Sequence, residues 1–377
     1  MIYIHIPFCR SFCTYCDFYS EVAARCRCAE DGIRQTALFE SYARAVGCEI
    51  SGRKDDFSSE VNTLYIGGGT PSVLPLDVYG SMLSSLASAG VTGPFDEFTF
   101  EVNPEDIVEK GEAYVRGLIS YGVNRFSMGI QSFDDGILRW MNRRHDSAAA
   151  VEAYRILRDA GAENISIDLI FGLPQLSDAR WRETLEKALA VSGDGMPPKH
   201  ISAYQLSVEP RSALALMVGR GEWKEASDEL CAHQYAILCD VLAQRGYHHY
   251  EISNFALPGF EAVHNSAYWA HVPYVGLGPG AHSFIGGNHR VWNKPDLQAY
   301  MVSPESVVEG EELDMERIML GLRTSAGIPE TYLREKCGPA SLDAALDAGD
   351  LVRLENGNIR IPEERFFVSD AIISEII

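Results

Sequence analysis

The sequence predicts an α/β protein: a parallel sheet of six strand–helix units curled into a partial (β/α)6 barrel, followed by a smaller, mostly helical, winged-helix-like unit. Three observations predict it. Short β-rich runs alternate six times with helix-length stretches up to about residue 245. The segments rich in Gly, Pro and Cys fall directly behind those runs. From about Met301 the texture changes, so that 377 residues, long for one hydrophobic core, divide into a domain of residues 1–300 and another of 301–377.

The first unit is the strand Ile2 to Ile6 with a helix over 36–51. TLYI (63–66) precedes a helix near 75–89, FTFEV (98–102) one near 106–120, and RFSMGI (125–130) helical sequence from 134 to 160. ISIDLI (165–170) precedes a helix near 178–191, and HISAYQL (200–206) one near 227–245. Strands separated by helices of this length are joined by crossovers, which makes the sheet parallel and puts all strand C-terminal ends on one face. IHIPFC, GGGTP, EVNP, GIQSF and DLIFGLP lie at those ends, where a barrel carries its chemistry. After residue 250, SNFALPGF, HNSAYW and VGLGPGAHSF read as Gly- and aromatic-rich loops walling one end of the sheet. The C-terminal unit holds an amphipathic ERIMLGLRTSAGI, then ASLDAALDAG, a hairpin at LVRLENGNIRI and an apolar last helix.

Hydrophobic residues at 46% and charged ones at 23% describe a folded globular chain. A net charge of −21 repels polyanions, which argues against nucleic acid as a main partner. No basic segment precedes an apolar one at the N-terminus, and no apolar run approaches the ~18 residues that span a bilayer. These features predict a cytoplasmic protein without stable membrane insertion. Nine cysteines, odd in number and front-loaded, suit reduced thiols and a metal site better than a disulfide framework. Cys48, Cys231, Cys239 and Cys337 read as small buried hydrophobes.

Cys9, Cys13 and Cys16 stand at Cx3Cx2C spacing directly behind the first strand. Three thiolates so close can share one compact inorganic core, whereas a structural zinc site draws paired ligands from separated knuckles and closes with four. A 4Fe-4S cluster held by three cysteines keeps one iron open for a ligand. The alternatives are zinc completed by Cys26 or Cys28, in a segment that reads as an insertion, or simply free core thiols.

With Cx3Cx2C after the first strand and GGGTP after the second, the chain resembles the radical S-adenosylmethionine superfamily. YIHIPFC, GGGTP, EVNP, GIQSF, MNRR and IDLIFGLP, in this order, resemble more narrowly the oxygen-independent coproporphyrinogen III oxidase family, and the C-terminal unit is similar as well. The resemblance implies that Cys9, Cys13 and Cys16 hold the cluster and that S-adenosylmethionine chelates its open iron. It implies further that Gly67, Gly68, Gly69 and Thr70 line the methionine portion, where glycines let backbone approach. Glu101 is expected to accept from ribose hydroxyls or the amine, with Gln131, Arg143 and Asp168 as further contacts and Tyr3 and Tyr15 beside the ring. Arg143 suits a carboxylate; Arg139 and Arg144 read as a solvated helix face.

In the oxidase family a fourth cysteine follows two residues beyond the third, where this chain has Phe18. That departure resembles the HemW-type heme chaperone branch, as do His264, Asn265, Tyr268 and Trp269, which match its HNxxYW motif. The resemblance implies heme as ligand and a heme-acceptor protein, such as a respiratory hemoprotein, as partner of a monomeric or homodimeric chain. The oxidase reaction is the alternative. His264 is the expected axial ligand, with His271, His282 and His289 in the same loop region as the alternatives.

Overall fold

The computed structural model describes residues 1–22, 29–57, 61–285, 289–304, 306–310 and 313–377. Cys26 and Cys28 lie outside the described residues. Each strand of the six expected units is present: β1 (Ile2–Ile6), β2 (Thr63–Gly68), β3 (Glu97–Val102), β4 (Arg125–Gln131), β5 (Asn164–Phe171) and β6 (His200–Gln205). They are hydrogen-bonded in chain order and all parallel. Crossover helices cover them: α1 (Ala29–Gly52), α2 (Leu76–Ser88) and α3 (Pro104–Ser120). Alternate strand residues point to one face of the sheet, and there Ile2, Ile4 and Ile6 are completely buried, as are Phe100, Ile165 and Ile167.

The helical stretch after β4 is two helices rather than one over 134–160. α4 (Asp135–Trp140) and α5 (Ser147–Asp159) each begin at an aspartate. Asp134 accepts from the N–H groups of Gly136 and Ile137, and Asp146 from that of Ala149, while Asn142 between them turns through φ 58°. The break turns Asn142 and Arg143 toward the cysteine loop. α6 (Asp178–Leu189) follows β5, and α7 (Ala213–Gly219) and α8 (Asp228–Gln244) follow β6.

The segment expected as loops contains regular structure. β7 (His248–Glu251) and β8 (Asn254–Ala256) form a hairpin that adds antiparallel to β6. α9 (Val263–Trp269) carries HNSAYW, and β9 (Val275–Leu277) adds parallel to the free side of β1. Among the described residues the sheet therefore has nine strands in the order β9-β1-β2-β3-β4-β5-β6-β8-β7, an open barrel whose two edges do not pair. β10 (His282–Phe284), β11 (His289–Asn293) and, after α10 (Leu297–Val302), β12 (Ser306–Gly310) make a second, antiparallel sheet.

The C-terminal unit runs α11 (Leu313–Leu322), β13 (Ile328–Pro329), α12 (Glu330–Lys336), α13 (Pro339–Ala348), β14 (Val352–Arg353), β15 (Asn358–Arg360) and α14 (Ser369–Ile376). Its sheet, in the order β13-β15-β14, gives the winged-helix arrangement the sequence suggests. It docks on the barrel edge, where Ser325 N–H donates to the Tyr250 carbonyl and Phe366 packs edge-on against His249. Of the four cysteines expected in cores, Cys231 is buried, Cys239 and Cys337 are half-buried, and Cys48 is exposed on α1. Among the described residues no helix is long and apolar enough to cross a membrane.

Candidate functional site

The loop after β1 is clamped from several sides. Gly69 N–H donates to the Ile6 carbonyl at 2.8 Å and Thr70 N–H to that of Phe8 at 2.7 Å, tying this loop to the one after β2. Thr14 donates its N–H to Met141 and its hydroxyl to Trp140, while Asn142 Nδ2 donates to the Phe12 carbonyl. Cys9, Cys13 and Cys16 are thereby held facing one cavity of about 1300 Å³, and none is in a disulfide. Cys9 Sγ lies 3.4 Å from Thr70 Oγ1, and Arg143 Nη1 donates to Cys13 Sγ at 3.4 Å.

Burial pushes the Cys9 thiol up and that of Cys16 to about 11, so a bound cation is needed to draw both into the thiolate form that ligates metal. Among the described residues no group of three or more His, Cys, Asp or Glu side chains is close enough to hold a metal ion. Three thiols converging on a roomy chamber, beside a guanidinium that offsets their charge, fit a larger iron–sulfur core.

The residues expected to contact S-adenosylmethionine line the same cavity: Gly68, Gly69, Thr70 and Glu101 from β2, β3 and the loops after them, and Gln131, Arg143 and Asp168 farther along the sheet. Tyr3 and Tyr15 line it too. Gly67 is not part of the lining, yet a Cβ there would sit 2.8 Å from the Glu101 carboxyl, so its bareness lets that carboxylate fold in. Gly68, at φ 110°, gives its N–H to Glu101 Oε2 at 3.1 Å, and Tyr65 donates to Oε1 at 2.6 Å. Burial pushes Glu101 up to about 7 and Asp168 up to about 6. A register shift between β4 and β5 at Gly129 and Gln131 holds Gln131 at φ 70° and turns it into the cavity. Arg143 Nη2 donates to Asn103 Oδ1 at 2.8 Å and to the Gly129 carbonyl at 2.6 Å, while its buried Nε has no partner in the protein. Arg139 and Arg144 are both exposed, but Arg144 lies beyond the end of α4 and lines the cysteine cavity, so the helix-face expectation is corrected for it.

HNSAYW is split by being helical. Asn265 and Tyr268 line the cysteine cavity, whereas Trp269 lines a second one of about 1130 Å³ between the β7–β8 hairpin, α8 and the C-terminal unit. His264 reaches neither. It is completely buried, with Nδ1 at 2.8 Å from Thr63 Oγ1 and Nε2 at 2.9 Å from the Tyr268 hydroxyl. An axial ligand needs a ring nitrogen facing the iron, so the expectation for His264 is corrected: it positions Tyr268. Trp269 is likewise separated from the residues it was grouped with.

A model of the radical SAM superfamily matches residues 3–188. "Heme chaperone HemW" of Synechocystis sp. is 35% identical over 336 residues, 86% of this chain and 78% of the relative. This chain belongs to the HemW family. The protein of that name from Bacillus subtilis is 34% identical over 352 residues, 90% of this chain and 87% of its own. Among solved structures, "Coproporphyrinogen III oxidase (HemN) from Escherichia coli is a Radical SAM enzyme" superposes with a TM-score of 0.77 over 100% of this chain and 89% of that one. At 21% identity that likeness establishes the fold, a radical SAM barrel with its C-terminal addition.

Within this HemW-family frame, several site residues escaped the sequence reading. Asn103 donates to Thr70 Oγ1 at 3.2 Å and accepts from Arg143, joining the glycine loop to the cysteine loop; it stands in EVNP beside Glu101, which was the available signal. Ser127 donates to Asp168 at 3.3 Å, and Tyr204, Tyr274 and Trp292 complete the walls, with no motif to mark them.

Proposed function

We propose that this protein is a cytoplasmic heme chaperone, which binds heme and passes it to an acceptor protein while carrying a 4Fe-4S cluster on Cys9, Cys13 and Cys16 with exchangeable S-adenosylmethionine. When bound, cluster and S-adenosylmethionine supply one-electron chemistry at the open iron. The protein's own part is to hold and screen them. Arg143 offsets thiolate charge, Gly68 and Gly69 leave a bare edge for the methionine portion, and Glu101 and Asp168 offer acceptors to ribose and amine.

The observation that carries the reading is Phe18. In a chain whose relatives are named heme chaperones, it lines the cavity at 70% exposure, where the oxidase family has a fourth cysteine. An exposed phenyl ring there offers an apolar face to a macrocycle and no ligand to iron. Asn265 and Tyr268 line the same cavity.

The test is anaerobic cluster reconstitution followed by hemin titration and mixing with an apo-hemoprotein acceptor. Stoichiometric binding and transfer are expected. Sustained conversion of coproporphyrinogen III to protoporphyrinogen IX by the reduced protein with S-adenosylmethionine would overturn the reading in favour of the oxidase.

A further inference from the structure

We infer that Arg144 receives the carboxylate edge of the heme at the mouth of the cysteine cavity; the inference rests on the heme reading above. Heme carries two chemistries, a flat apolar macrocycle and two carboxylates on one edge. A protein of net charge −21 repels the second unless a local cation receives it. Among the described residues five arginines and no lysine line this cavity. Four of them are committed elsewhere. Arg10 donates to Glu109 Oε1 at 3.1 Å and lies 3.2 Å from Asp106 Oδ1. Arg211 donates to Asp17 Oδ1 at 2.8 Å and to the Asp17 carbonyl at 3.1 Å. Arg143 is bound to Cys13, Asn103 and Gly129. Arg125 is buried at the start of β4, 3.7 Å from Glu97 Oε2 and at the strand end away from the cysteine loop. Arg144 is exposed and makes no hydrogen bond or ion pair with the described residues; its charge acts on Glu109, which Arg10 already holds.

The chain places this guanidinium beside the apolar part of the site. Arg144 sits on the turn after α4, and Asn142 in that turn donates to the Phe12 carbonyl at 2.7 Å, so the turn is tied to the cysteine loop. Phe12 and Phe18, 54% and 70% exposed, leave apolar rings uncovered in the same cavity. Carboxylates of the protein nearby do not compete for Arg144. Asp17 and Asp106 are paired with arginines, and Glu105 lies 3.2 Å from His145 Nδ1. A guanidinium presents paired N–H donors that match a carboxylate in bidentate fashion. The macrocycle then lies against the phenyl rings with its charged edge outward, where the carboxylates keep much of their hydration. Binding is an ion pair, and no bond, proton or electron moves.

Titration of the full-length reconstituted protein with hemin and with hemin dimethyl ester tests this, read by the Soret band at low and high salt. Arg144→Gln should raise the hemin Kd about three- to fivefold at low salt, as one exposed ion pair allows. It should leave the Kd of the dimethyl ester, which has no carboxylate, unchanged. Arg144→Glu should weaken hemin further, Arg144→Lys should retain most of the affinity, and added salt should narrow the gap between wild type and Arg144→Gln. Wild type that binds neither hemin nor its ester would refute the heme reading itself. Wild-type hemin binding with the same Kd in Arg144→Gln and Arg144→Glu, or an equal loss for hemin and its ester, would overturn the assignment of Arg144 alone.

Discussion

Glu101→Gln tests the electrostatics of the barrel interior in the cofactor-free protein. The folded state raises this carboxyl from 4.5 to about 7, with burial the main cause. Between those values the folded protein keeps a proton that the unfolded chain has lost. Stability therefore falls as pH rises through this window and levels off above about 7. The interval corresponds to about 3 kcal/mol at ~1.4 kcal/mol per pH unit. Solvent in the open cavity reduces that burden, and the glutamine side chain has one acceptor oxygen where the carboxylate has two, so it cannot accept from both Tyr65 and Gly68, a loss of about 1 kcal/mol. The variant should thus be more stable than wild type by on the order of 1–2 kcal/mol at pH 8, with the advantage gone near pH 5. Asp168, whose charge helps to raise Glu101, is relieved of that repulsion in the variant, which adds to the difference in the same direction. Urea unfolding at several pH values measures it; a stability difference constant from pH 5 to 8 would refute the reasoning. Binding of S-adenosylmethionine, by equilibrium dialysis on the reconstituted protein, should weaken even as stability rises.

Gly69→Ala puts a Cβ 2.8 Å from the Phe8 carbonyl, 2.9 Å from that of Ile6 and 3.2 Å from Cys9 Sγ, and backbone cannot step aside. A cost of about 1–3 kcal/mol and reduced iron and sulfide retention are expected, measured by thermal unfolding and metal analysis. Arg143→Lys gives up the donors to Asn103, Gly129 and Cys13, which one ammonium cannot all reach. Its Kd for S-adenosylmethionine should rise at least about tenfold, or about 1.4 kcal/mol, by isothermal titration on the reconstituted protein. Thr63→Val leaves His264 Nδ1 without its partner in a dry site, which should cost about 1–3 kcal/mol in urea unfolding while hemin affinity stays near wild type. Cys16→Ala should abolish cluster assembly, seen as loss of visible absorbance and labile sulfide after reconstitution.

The strands were legible because β-rich runs such as IYIHI and ISIDLI stand between helix-length segments, with alternate isoleucines buried while Tyr3, His5 and Asp168 face the cavity. The cysteine loop was legible because its three cysteines are neighbours in the chain. The break between α4 and α5 was carried by two capping aspartates inside an otherwise helical run. Less was legible after residue 250, where short strands gain their stability from sheet edges offered by β1 and β6.

By itself, the sequence determined the alternation that makes the barrel, the face on which its loops gather, and the three cysteines with Phe18 beyond them. Only the tertiary structure decided which side chains of HNSAYW meet the cavity. His264 finds its partner in Thr63, 201 residues away, and Trp269 is turned toward another chamber, while His282 is set at the cavity by a strand pairing. A motif names residue types at a spacing, but whether a ring nitrogen is sealed or faces the cavity depends on packing against distant parts of the chain.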